Sequence, residues 1–147
     1  MKIATVDFEK VLNKYKPYKD SMELLDKYQN DFSLKMNKIR EEMERIVNSS
    51  RSLLLDDKTK SENVQRMREL QSKAAESESE FRVSFAESQR EEMDNNFKQI
   101  VDIVNDLVKK SEFDMVLNKN SVIFQKSEFE ITDEIIGSIS KIGMLSD

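Results

Sequence analysis

Leu53-Leu54-Leu55-Asp56-Asp57-Lys58-Thr59-Lys60-Ser61-Glu62 is the stretch on which the fold turns. Thr59 followed three residues later by Glu62 is a capping box, in which each side chain satisfies a backbone N–H that the first helical turn leaves free. A helix therefore starts at Thr59, and Leu53 to Lys58 reads as a turn. Before it, Met22, Leu25, Tyr28, Phe32, Met36, Ile39, Met43 and Ile46 step by threes and fours, the spacing of one helix face. After it, Val64, Met67, Leu70, Ala74, Phe81, Phe85, Met93, Phe97, Ile100, Val104 and Leu107 do the same. Two long amphipathic helices on either side of a short turn predict an antiparallel helical hairpin.

Asp20 and Glu23 fit a second capping box, so the first long helix is expected to begin near Asp20, after Pro17. It is roughly 35 residues long, or about 50 Å at 1.5 Å per residue. Between Tyr28 and Ile39 the steps are four, four and three, an eleven-residue spacing that relaxes a left-handed coil. Lys109 and Lys110 suit the end of the second helix, whose last carbonyls attract positive charge. A short helix carrying Val11, Leu12 and Tyr15 before Pro17 extends the outgoing side, so that Glu9–Leu55 and Thr59–Ser111 have comparable reach.

At the two ends the apolar period changes. Ile3 to Phe8 is β-branched and apolar and reads as a strand. Phe113, Met115 and Leu117 alternate with Asp114, Val116 and Asn118, then Asn118-Lys119-Asn120-Ser121 supplies turn residues and Val122-Ile123-Phe124 a further strand. The expectation is a β-hairpin over Phe113 to Gln125. A terminal helix follows, capped by Thr132, with Asp133 and Glu134 in its first turn, a staple between Ile131 and Ile136, and Gly143 at its end. The fold class is α+β, mostly α. It is one domain over 1–147, with a body of 1–18 and 111–147 and a helical arm of 19–110.

Composition narrows the function. The chain has 147 residues, 36% of them charged and 37% hydrophobic, with two glycines, one proline and a net charge of −5. Long solvated helices and a thin core fit these values, and helices of this kind need partners to bury their apolar faces. The acidic balance argues against nucleic acid. With no cysteine and no histidine, thiol chemistry, disulfides and the commonest metal ligand are gone. No Gly-rich phosphate loop occurs, and Glu87 to Asp94 lacks the spacing of a calcium loop. No enzyme activity, catalytic residue, metal or cofactor is expected.

The order strand, helical hairpin, β-hairpin and closing helix resembles the Skp/OmpH family of periplasmic chaperones. Lys2-Ile3-Ala4-Thr5-Val6-Asp7 is similar to the family's first strand. Phe113-Asp114-Met115-Val116-Leu117, Asn120-Ser121-Val122-Ile123-Phe124 and Ile131-Thr132-Asp133-Glu134-Ile135 are similar to its β-hairpin and last helix. The resemblance implies a homotrimer whose strands form a common body and whose arms enclose a cavity that holds unfolded outer-membrane proteins without ATP. Typical members are basic, whereas this chain is acidic apart from its arm tip. There Arg45, Arg51, Lys58, Lys60, Arg66 and Arg68 outnumber Asp56, Asp57 and Glu62. No leader precedes Met1-Lys2-Ile3, so the expected compartment is the periplasm if a signal has been removed and the cytoplasm otherwise.

Unpaired strand edges also argue for self-association, with Ala4, Val6, Met115, Val116, Ile123 and Phe124 as the expected contacts. The alternative is that Ile135, Ile136 and Ile139 of the terminal helix cover the sheet. For client proteins the candidates are Leu53, Leu54 and Leu55 at the tip and Met36, Met43 and Met67 along the arm, because methionine adapts to varied surfaces. The same methionines also suit the seam between the helices. The arm tips are a candidate contact for a membrane surface. Gln71, Glu78, Ser88 and Glu92 at seam positions predict a flexible arm. Two other functions fit a helical hairpin, a structural or assembly protein and a cytosolic prefoldin-like chaperone, although the latter carries its β-hairpins between the helices.

Overall fold

A computed structural model describes residues 1–147. The elements in order are β1 (Ile3–Val6), α1 (Phe8–Lys14), α2 (Lys16–Ser50), α3 (Asp57–Val108), β2 (Met115–Asn118) and α4 (Thr132–Lys141). Short 3-10 turns occupy Lys119–Ser121 and Ser127–Phe129. No helix is long and apolar enough to cross a membrane. The chain divides into two compact units, Met1–Leu24 with Gln89–Asp147, and Leu25–Ser88.

In the first unit the expected β-hairpin is replaced by a parallel pair. β1 lies beside β2 with Ile3 opposite Met115 and Val6 opposite Asn118. Lys2 O accepts from the Asp114 and Met115 amides at 2.8 and 3.3 Å. On the other side of β1, Thr5 bridges Glu130, its carbonyl accepting from Ile131 N at 2.9 Å. Local alternation specifies a strand but not its partner, and β1, with both edges open, offers more ladder than a return by Val122-Ile123-Phe124. Asn118 Oδ1 accepts from Asn120 N at 3.1 Å and shapes the 3-10 turn, after which Val122 to Phe124 form no strand.

Beneath the sheet, Ala4 and Val6 pack with Val11, Tyr15, Ile100, Val104, Ile131, Ile135 and Ile139. The terminal helix thus covers one face of the sheet within the subunit. Thr132 does not cap that helix. It is the first helical residue, and its Oγ1 accepts from Asp7 N at 2.9 Å and donates to Glu130 Oε1 at 3.0 Å, tying α4 to the end of β1. Ile131 is buried in the core, and half-buried Ile136 packs against the same cluster. At the other end Gly143 adopts a φ of 75°, so that Met144 N reaches Ile139 O at 3.1 Å in the closing turn expected of a glycine there.

α2 begins at Lys16, four residues earlier than the Asp20 cap predicts. Proline is harmless in a first turn, where an N–H would have no helical acceptor, and the donors around Pro17 are all met from outside. Lys16 N donates to Met144 O at 2.8 Å, while Tyr18 N and Lys19 N share Tyr15 O at 3.1 and 3.2 Å. Tyr15 itself is extended and forms an antiparallel bridge with Leu145, and Ser146 N donates to Lys14 O at 2.8 Å. The α1–α2 elbow is therefore strapped by the last residues of the chain.

Polar side chains enter the helix seam of this unit. Ser21 Oγ donates to Glu92 Oε2 at 2.5 Å, and buried Asn96 donates to Ser21 Oγ at 3.0 Å and to Glu92 O at 2.7 Å. Tyr15 Oη donates to Gln99 Oε1 at 2.8 Å, and burial raises the Tyr15 hydroxyl above the ordinary tyrosine range. A raised pKa means that its contribution to stability is complete below the unfolded value, about 10, and is lost as pH rises through the folded value. Tyr15→Phe is expected to cost about 1 kcal/mol at neutral pH, because Gln99 loses its donor. The deficit should shrink above about pH 10, read as the difference between urea midpoints of the two proteins.

Candidate functional site

The second unit is a two-helix hairpin. Partners descend α2 as they climb α3: Tyr28 meets Phe85, Phe32 meets Phe81, Glu42 meets Arg66 and Ser49 meets Asn63. Its seam is thin. Leu25, Ile39, Leu70 and Ser77 are its only buried residues, and Phe32, Met36, Met43, Ile46, Ala74, Phe81 and Phe85 are half-buried. One stretch is aromatic, with Phe32 stacked on Phe81 at a centroid distance of 3.9 Å and Tyr28 tilted against Phe81 at 5.3 Å. Such contacts hold two solvated helices together without a wide apolar stripe.

At the turn, α3 starts at Asp57 rather than Thr59, and the cap is Asp56. Its Oδ1 accepts from Thr59 N at 2.7 Å, a bond to the ionised form that also holds the Asp56 carboxyl below its ordinary range. Asn63 Nδ2 donates to Ser49 Oγ and Ser50 Oγ, both at 3.2 Å, and so joins the two helices beside the turn. These polar ties leave the leucines free: Leu53 is 98% and Leu54 95% exposed, while Leu55 is half-buried.

Two grooves flank the turn end of the hairpin. The larger, about 740 Å³, is lined by Arg40, Met43, Glu44, Val47, Asn48, Arg51, Met67 and Gln71. The smaller, about 350 Å³, is lined by Ile46, Val47, Ser50, Arg51, Asn63, Val64, Met67 and Arg68. They share Val47, Arg51 and Met67. Of the methionines singled out in the sequence, Met43 and Met67 line these grooves, while Met36 is half-buried in the seam away from them. Val47 was missed by the periodic reading because it stands one position off the seam stripe, next to Ile46. An apolar residue just outside the stripe is the signal that would have found it.

The proposed oligomer contacts separate into two sets. Ala4 and Val6 are fully buried inside the subunit, and half-buried Val116 packs against the same core. Met115, Ile123 and Phe124 are exposed, Ile123 completely and Phe124 by 82%.

A family model described as outer membrane protein (OmpH-like) matches residues 2–139. Among solved structures, one described as an OmpH-like outer membrane chaperone from Caulobacter crescentus is similar. Its TM-score is 0.76 at 10% sequence identity, covering 99% of this chain and 88% of the other. A comparison with curated protein sequences finds no significant match.

Few buried side chains mean a low cost of local opening. Backbone amides between Leu25 and Ser88 are expected to exchange hydrogen faster than those around Ile100 and Ile139, measured by mass spectrometry on the full chain. Leu53→Ser with Leu54→Ser should leave the unfolding free energy within about 0.5 kcal/mol of the original, since neither leucine has packing to lose.

Proposed function

The chain belongs to the OmpH-like family of outer membrane proteins, and from that premise we propose that it is a periplasmic chaperone that holds unfolded outer-membrane proteins without ATP and without chemistry of its own. The observation that carries the holding role is the pair of leucines at the hairpin turn, fully solvated although nothing in the fold requires apolar residues there. Apolar groups kept in water at an energetic cost are what a chaperone needs to compete for the apolar segments of an unfolded chain. Met43 and Met67 in the neighbouring grooves add flexible, polarisable surface suited to varied sequences.

The working form is a homotrimer in which the hairpins of three copies enclose the client. Support comes from the outer edge of β2, which has no partner strand, and from exposed Met115, Ile123 and Phe124 in the same unit. An open edge beside apolar side chains is a template for another copy. No membrane partner is required by this reading.

The full chain is expected to run at three times its monomer mass in solution. It should keep an unfolded outer-membrane β-barrel protein from aggregating at near-stoichiometric amounts. Leu53→Ser with Leu54→Ser should raise the amount of chaperone needed several-fold while leaving the mass unchanged. A stable monomer, or failure to suppress aggregation, would overturn the proposal.

A further inference from the structure

Pro17 separates α1 from α2, and what the separation leaves unpaired can be followed bond by bond. In a continuous helix the amides of residues 16, 17 and 18 would donate to the carbonyls of Leu12, Asn13 and Lys14. Pro17 has no N–H, and its ring collides with the carbonyl four residues back. The chain leaves the helix at Tyr15, which is extended, with a φ of −84° and a ψ of 116°. Leu12 O is then taken by Tyr15 N at 3.0 Å, and Tyr18 N turns to Tyr15 O at 3.1 Å. Three backbone groups are left without a helical partner: Asn13 O, Lys14 O and Lys16 N.

Residues 144–146 meet all three. Lys16 N donates to Met144 O at 2.8 Å, Ser146 N donates to Lys14 O at 2.8 Å, and Ser146 Oγ makes a longer contact with Asn13 O at 3.4 Å. Between them Leu145 bridges Tyr15 in antiparallel register. The elbow is thus held from two sides. On one, the Tyr15 ring is buried and its hydroxyl donates to Gln99 Oε1. On the other there is only this short extended segment.

The segment is joined to α4 through Gly143, whose φ of 75° only glycine adopts freely. Met144, Leu145 and Ser146 are each half-buried. Two good hydrogen bonds, one long one and partly covered side chains open far more often than a whole unit unfolds.

We propose that residues 144–146 are a releasable brace for the Pro17 break. Docked, they fix the elbow in one geometry by filling the hydrogen bonds that the proline removes. Released, they leave the backbone at Tyr15 and the first turn of α2 free to change direction about the buried Tyr15 ring, while the core around Ile135 and Ile139 stays folded. The device depends on no client and is separate from the holding role.

Hydrogen exchange resolved to single amides of the full chain tests it, with two variants. Ser146→Pro removes the N–H and the hydroxyl together. Gly143→Ala keeps every group of the brace but strains the turn that delivers it; no atom lies within 4 Å of the added Cβ, so the strain is in the backbone alone. Lys16 N, which touches the brace, should exchange faster in both. The telling amides are Tyr18 and Lys19, which bond to Tyr15 O and not to the brace. Their exchange should rise roughly 10- to 100-fold in Ser146→Pro, as loss of two hydrogen bonds implies. In Gly143→Ala it should rise about tenfold, the cost of a left-handed alanine. Ile135 and Ile139 amides should keep the rates of the original chain. A change confined to Lys16 would make the segment a passive cover and overturn the proposal. So would an equal rise at Ile135 and Ile139, which would mean that the segment opens only when the whole unit does.

Discussion

Everything in the first unit depends on how β1 is satisfied. Four residues long, it is paired along one edge by β2 and bridged on the other by Glu130, and its buried side chains Ala4 and Val6 rest on Ile135 and Ile139. Each of those partners lies far along the sequence; the hydrogen-bonded pair Lys2 and Asp114 is 112 residues apart. A parallel pair cannot be joined by a tight turn and needs a crossover that brings the chain back to the end from which it left. In most proteins a single helix does this. Here α2 and α3 do it together, because a chain that runs out along one helix and returns along an antiparallel one ends where it started. The sheet geometry and the helical hairpin are two aspects of one constraint.

The same economy explains the uneven interior. Where α3 meets the sheet and α4, Ile100 and Val104 are buried among branched apolar side chains. In the hairpin unit only Leu25, Ile39, Leu70 and Ser77 are buried, and the aromatic group of Tyr28, Phe32, Phe81 and Phe85 supplies part of the remaining cohesion. Polar groups are admitted to the seam where they satisfy one another, as Ser21, Glu92 and Asn96 do. A buried polar network of this kind fixes register, since a slip by one turn would strand each of its members without a partner.

What could be read from the sequence follows the range of the interactions involved. The two long helices were legible because their cause is local: apolar residues at threes and fours on both sides of Leu53-Leu54-Leu55. The closing turn at Gly143 was legible for the same reason. Boundaries slipped where a distant group intervened. Lys16 joins α2 because Met144, from the far end of the chain, accepts its N–H, and Thr132 is no cap because Asp7 claims its hydroxyl. The parallel partner of Met115–Asn118 was out of reach altogether, since alternation names a strand without naming its neighbour. Of the candidate site, the leucines at the turn were visible in the sequence. The grooves were not, because they depend on Val47, a residue off the seam whose neighbours are set only once the helices pair.

Synthesis proceeds from the first residue to the last, so β1 leaves the ribosome long before the residues that complete it. At the usual elongation speed of about 5–20 residues per second, roughly five to twenty seconds separate the making of β1 from that of β2. Throughout that interval the Ile3–Val6 segment has no partner for either of its edges. The elbow at Tyr15 waits longer still, until Leu145 has been added. For most of its own synthesis the chain therefore carries an apolar segment whose pairing partners do not yet exist.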